Sequence, residues 1–124
     1  MVTVRYIVDD VDDVDAAIEF YTSQLDFILD ERMGPAFAIV RGDDLLLWLS
    51  GPLSSAARPM PDGTRPEAGG WNRLVIEVDD IAAASSRLRA SGVRFRNEIV
   101  SGPGGKQILL EDPAGNPIEL FEAR

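Results

Sequence analysis

The 124-residue chain contains no cysteine and no histidine. Without cysteine there are no disulfides, no thiolate nucleophile and no soft metal ligand. Without histidine the commonest metal ligand and general base is missing as well, so any metal site would have to be built from carboxylates, amides and carbonyls. That donor set disfavours zinc, copper and non-haem iron, and it excludes Ser-His-Asp and Cys-His catalytic devices. Basic residues are also scarce. Twelve Lys and Arg stand against 21 Asp and Glu, for a net charge of −9, which repels phosphates and argues against nucleic acid as a partner. No apolar run approaches the roughly 20 residues that cross a bilayer. The opening stretch MVTVRYIVDD has no basic segment followed by an apolar one and a cleavage site, so export is not expected. These absences describe a cytoplasmic protein. Its 45% hydrophobic and 27% charged content is that of a globular chain, long enough for one domain with a real core.

What is present is a repeat. Val11-Asp12-Asp13-Val14-Asp15-Ala16-Ala17 returns as Val78-Asp79-Asp80-Ile81-Ala82-Ala83-Ala84, and each copy leads into an amphipathic stretch ending at Phe27 or Phe95. In both copies a short apolar strand runs into Asp-Asp, whose carboxylates suit the free N–H groups of a helix start. Val14, Ala17, Ile18, Tyr21 and Leu25 then recur at helical spacing, as do Ile81, Ala84, Ser85 and Leu88. Three strands are predicted after each helix: residues 28–32, 36–40 and 45–49 in the first copy, and 95–100, 107–111 and 117–121 in the second. Each unit therefore reads βαβββ, over residues 1–50 and 71–124 of a single domain. The connecting segment 51–70 holds four prolines and four glycines and reads as a long loop, a type that is often close to function.

Residues 71–80, WNRLVIEVDD, have two unlike faces when read as a strand. Leu74, Ile76 and Val78 make one side apolar, while Trp71, Arg73, Val75 and Glu77 share the other. A solvated outer face and a polar-lined cavity both satisfy that pattern.

The duplicated βαβββ unit, the strand–Val-Asp-Asp–helix starts and the ending EDPAGNPIELFE at 111–122 resemble the vicinal oxygen chelate superfamily, which includes glyoxalase I, extradiol dioxygenases and bleomycin-resistance proteins. The resemblance covers essentially the whole chain. It implies an α+β fold in which the two tandem units form a curved mixed sheet around a cavity with the helices on the outer face. It also implies a homodimer. Enzymes of the superfamily hold a divalent metal with one residue from the first and one from the last strand of each unit. Of these four positions, the motif match puts Glu119 at one and Arg73 at another. Matching Gly42-Asp43-Asp44 to Gly115-Asn116-Pro117 puts Leu46 at the third. The fourth is Thr3 or Tyr6, depending on the register of the first strand. We favour Thr3, because that register keeps one strand face apolar and turns Arg5 toward the cavity.

Only Glu119 is a good ligand in this set, and arginine keeps its proton in proteins, so its charge repels a metal. The resemblance thus implies no metal and no other cofactor. Its most direct functional expectation is a metal-free small-molecule binder with an Arg73–Glu119 pair as charged anchor in an otherwise apolar pocket. Trp48 shares a strand face with Leu46, and Phe121 with Glu119. Together with Trp71, Phe37 and Met60 these residues suit an aromatic or cationic drug-like ligand. The alternative is a lyase, isomerase or dioxygenase, either metal-dependent or using Arg73 to stabilise an oxyanion and Glu119 to move a proton. Glu98 and Glu111 are weaker acid–base candidates. Gly102-Pro103-Gly104-Gly105 lacks the Lys and Ser/Thr of a phosphate-binding loop and reads as a hairpin.

Overall fold

A computed structural model describes residues 2–8 and 13–124. Residues 9–12, the last two of which begin the first copy of the repeated tract, lie outside the described residues. The chain divides into two compact units, Met1–Ala68 and Gly69–Arg124.

The first unit runs β1 (Tyr6–Val8), α1 (Val14–Glu19), β2 (Ile28–Met33), β3 (Phe37–Arg41) and β4 (Leu46–Ser50). The second runs β5 (Leu74–Glu77), α2 (Ile81–Ala90), β6 (Val100–Gly102), β7 (Gly105–Glu111) and β8 (Pro117–Ala123). Each unit builds a four-stranded mixed sheet of the same order, β1-β4-β3-β2 and β5-β8-β7-β6, with one parallel pair joining its first and last strands. The fold is α+β, a tandem βαβββ.

Both helices start where the sequence supplies a carboxylate. Asp13 Oδ1 accepts from the backbone N–H of Ala16 at 3.1 Å, and Asp80 Oδ1 from Ala83 at 3.0 Å. These bonds satisfy donors that a helix start otherwise leaves open. Helix α1 is shorter than its apolar spacing predicts. At Phe20 it widens into a π-helical turn, Phe20–Gln24, which brings the adjacent Phe20 and Tyr21 both into the core. Their rings meet edge to face at 5.1 Å, and Tyr21 meets Phe27 at 5.8 Å.

In each unit one sheet face is covered by the helix. Val8, Ala38, Val40, Leu47 and Leu49 are buried on that face with Val14 and Ala17 of α1; Ile108, Leu110, Ile118 and Leu120 are buried with Ile81 and Leu88 of α2. Each such aliphatic side chain contributes roughly 1.5–3 kcal/mol by leaving water. The alternation that makes this face apolar leaves the opposite face for other side chains.

Two predicted elements differ from the structure. The strand expected over 95–100 is reduced to a single bridge, Phe95 to Leu110, and pairing resumes only at Val100. Asn97 causes the gap: its side-chain Oδ1 accepts the Leu109 N–H at 2.9 Å, so a side chain takes the place of the backbone acceptor. The connecting segment is not without structure either. A 3-10 turn, Ser55–Ala57, is capped by Ser54, whose hydroxyl also meets that of Ser50 at 2.8 Å. Gly102 pairs with Gly105 in a tight hairpin, where a Cβ on Gly105 would overlap the Glu122 carbonyl oxygen.

Candidate functional site

In the second unit, β5 and β8 pair in parallel with Val75 beside Glu119, and β7 places Leu109 on Glu119's other flank. Glu119 therefore lies on the sheet face away from α2. Arg73 precedes β5 by one residue and reaches across to it. Its Nη2 lies 2.8 Å from Glu119 Oε1, and its Nε donates to the same oxygen at 3.0 Å. Arg73 Nη1 donates to the Trp71 carbonyl at 3.1 Å. Glu119 is only 6% exposed. A carboxylate that deep in the protein is tolerable because a cation is bonded to it.

A second arginine, Arg96, holds the approach to this pair. Its Nε donates to Glu111 Oε2 at 2.8 Å, Nη1 to the Gly70 carbonyl at 2.9 Å and Nη2 to the Gly115 carbonyl at 3.0 Å. Its guanidinium lies 4.7 Å from the centroid of the Trp71 ring. Trp71 is thus fixed twice, through its carbonyl by Arg73 and through its ring by Arg96, although it is 68% exposed. A lysine at this position would present three donors from one point and could not span the three acceptors. Arg96→Lys should cost about 1–2 kcal/mol in urea unfolding and shorten the anisotropy decay of Trp71 fluorescence as the ring is released.

The EDPAGN stretch explains why that segment sits there. Asp112 is buried, and its Oδ1 accepts from the N–H groups of Ala114 and Asn116, each at 2.9 Å, while its Oδ2 accepts from Asn116 Nδ2 at 3.0 Å. Asn116 Oδ1 in turn accepts the Gly69 N–H at 2.8 Å. One turn therefore shapes the entry to β8 and pins the chain just before Trp71 and Arg73. Gly115, at φ 92°, supplies the left-handed residue this turn requires.

In the first unit the ladders correct the sequence matching. Arg41 pairs with Leu46 as Glu111 pairs with Pro117, and Ile39 pairs with Trp48 as Leu109 pairs with Glu119. Trp48, and not Leu46, stands where Glu119 stands. Gly42 misleads because it opens its turn, donating to the Leu45 carbonyl at 2.9 Å, whereas Gly115 lies late in a turn one residue longer. Tyr6 pairs with Leu47, on the helix-covered side, and Ile7 pairs with Trp48. Phe37 meets Trp48 edge to face at 5.8 Å and 68°. The Trp48 indole nitrogen is buried without a hydrogen-bond partner.

The candidate residues thus form two groups in different units: Arg73, Glu119, Phe121 and Trp71 in the second, and Phe37, Leu46 and Trp48 in the first. Arg5 is exposed and donates to the carbonyl of Val4 at 3.0 Å. Met60 is exposed at a turn closed by its own backbone bonds with Gly63 and Thr64. In that turn the Thr64 hydroxyl and then its N–H hold the Asp62 carboxyl below its ordinary pKa. Arg96, Asp112 and Asn116 join the site although the sequence pattern marks the last two only as turn residues. The signal for Arg96 was an arginine predicted to lie on a strand near Glu111 and the EDPAGN turn, but no ladder was available to set them opposite one another.

A family model described as the Glyoxalase/Bleomycin resistance protein/Dioxygenase superfamily matches residues 6–120. The chain belongs to that superfamily. Solved superfamily-like structures include TnmS3, an antibiotic binding protein from Streptomyces sp. CB03234, with 26% identity and a TM-score of 0.73 over 100% of this chain and 98% of that one. Lactoylglutathione lyase from Agrobacterium tumefaciens has a TM-score of 0.74 over 98% of this chain and 94% of its own, and at 22% identity it shares the fold. The uncharacterized protein YaeR of Escherichia coli (strain K12) is 38% identical over 60 residues, 48% of this chain and 46% of YaeR, so the match spans about half of that relative.

The superfamily's enzymes imply a divalent metal, and the described residues at the matched ligand positions do not fit one. Glu119, the single matching ligand, is bonded to a permanent cation at 2.8 Å. Among the described residues no three Asp, Glu, His or Cys side chains come together as ligands.

Proposed function

We propose that this superfamily member is a metal-free small-molecule-binding protein that holds an aromatic or cationic drug-like compound in the cytoplasm. The observation that carries this reading is the Arg73–Glu119 pair, in which a permanent cation is bonded to the one carboxylate that the motif match offers as a ligand. Both Arg73 donors meet Oε1. Glu119 Oε2 is then free of the arginine and suits an ammonium or hydroxyl donor of a ligand, while the guanidinium suits an acceptor. In the second unit, Trp71 and Phe121 supply apolar and stacking surface beside the pair; in the first, Phe37, Leu46 and Trp48 form a separate apolar and aromatic group, with Arg5 and Met60 as further candidates. The full-length similarity to an antibiotic binding protein supports the same reading, and the net charge of −9 favours a cationic compound. We further propose that the protein is a homodimer.

Elemental analysis and native mass of freshly purified protein test this first. The expected result is a dimer without stoichiometric metal, followed by a response of tryptophan emission to bound aromatic compounds. For a compound so identified, Arg73→Ala should weaken binding about tenfold through loss of a charge-assisted bond. One divalent metal per chain, lost on Glu119→Ala, would overturn the proposal in favour of a lyase, isomerase or dioxygenase. Turnover abolished by substituting either Arg73 or Glu119 would establish a metal-free enzyme instead.

A further inference from the structure

Trp48 sits in the middle of β4, between Ile7 of β1 and Ile39 of β3, with Phe37 edge-on to its ring. None of these side chains has an acceptor. The nearest hydroxyl along the same strand face, Ser50, is engaged with Ser54, which also accepts from the Ala56 N–H. Among the described residues, the Trp48 indole nitrogen is the one buried side-chain polar atom without a partner. Buried indole N–H groups ordinarily find an acceptor, because an unmade bond leaves the full cost of desolvation. The chain's other tryptophan, Trp71, is exposed, and solvent can satisfy it.

We infer that a bound compound supplies this acceptor, and that Trp48 is a specificity-determining, ligand-contacting residue of the first unit. The inference rests on the binding reading and adds to it the chemistry of the ligand. Within the first unit, the neighbours Ile7, Ile39 and Phe37 carry no charge to balance an anion, so the acceptor matched to this N–H is neutral: a carbonyl, an ether or a ring nitrogen on a flat aromatic body. The Trp48 ring is partly exposed while its N–H edge is covered.

With two tryptophans in the chain, a ¹⁵N-labelled sample gives two indole N–H signals, which Trp71→Phe assigns. Quinoline and naphthalene are matched probes, the same flat bicycle with and without one ring nitrogen. Quinoline is expected to bind about tenfold more tightly and to move the Trp48 N–H proton downfield, whereas naphthalene should perturb the ring signals alone. With benzothienylalanine in place of Trp48, which exchanges the N–H for sulfur and keeps the shape, the two probes should bind equally. The ligand-free protein should then unfold at a higher temperature. Equal affinity of the unsubstituted protein for both probes would sink the donor assignment while leaving aromatic binding intact. So would a Trp48 N–H already downfield without ligand, because a trapped water would then hold it. If neither probe binds, the binding reading itself fails for aromatic ligands.

Discussion

Arg73→Ala should destabilise the protein by about 3 kcal/mol at neutral pH, the low end of what breaking a buried ion pair costs. The loss arises less from the attraction removed than from the carboxylate left behind. Glu119 is 6% exposed and lies between Val75 and Leu109, so without the guanidinium it keeps a buried charge with little solvent to stabilise it. The low end applies because the Arg73 side chain is itself 32% exposed, and solvent already screens part of the pair. Replacing both partners, Arg73→Met with Glu119→Leu, should bring stability back to within about 1 kcal/mol of the parent, since neither charge is then buried. Urea unfolding of the two single variants and the double variant measures this. If Arg73→Ala leaves the midpoint unchanged, Glu119 is better solvated than the structure indicates, and the case for a desolvated anchor collapses. The same double variant should also abolish ligand binding while remaining folded, which separates the pair's functional role from its structural one.

Asp112→Ala should cost about 3 kcal/mol. Three donors, the N–H groups of Ala114 and Asn116 and the Asn116 side-chain amide, lose their acceptor in a buried turn. The damage should extend beyond the turn. Asn116 holds Gly69, and Gly115 receives Arg96, so the positions of Trp71 and Arg73 depend on this carboxylate. Asp112→Asn keeps one acceptor oxygen and should lose roughly half as much. Thermal unfolding of both variants, read beside Trp71 emission, checks the order. A blue-shifted or unchanged Trp71 spectrum in Asp112→Ala would mean that the indole keeps its place without the turn, contrary to the geometry.

The two βαβββ units and the helix starts were legible in the sequence because they rest on short-range regularities, whereas the order of strands within each sheet came only from the structure. Alternation marks a strand face within five residues, and an aspartate caps the helix that begins at the next residue. The Arg73–Glu119 bond was legible for a different reason: the resemblance supplied both positions, and the structure closes the distance to 2.8 Å. The strand expected over 95–100 was not legible as a broken one. Asn97 interrupts it with a side-chain acceptor aimed at Leu109, and nothing local distinguishes that asparagine from one facing solvent.

Residue order alone was enough for two βαβββ units, an apolar face on each sheet, and a chemistry without thiol or imidazole. Which side chains stand opposite one another came from strand pairing in the folded chain. It placed Trp48 rather than Leu46 at the place of Glu119, gathered Gly70, Glu111 and Gly115 around Arg96, and left the Trp48 nitrogen without an acceptor. Register is set by how strands pair across many intervening residues, and a turn shorter by one residue is enough to shift it.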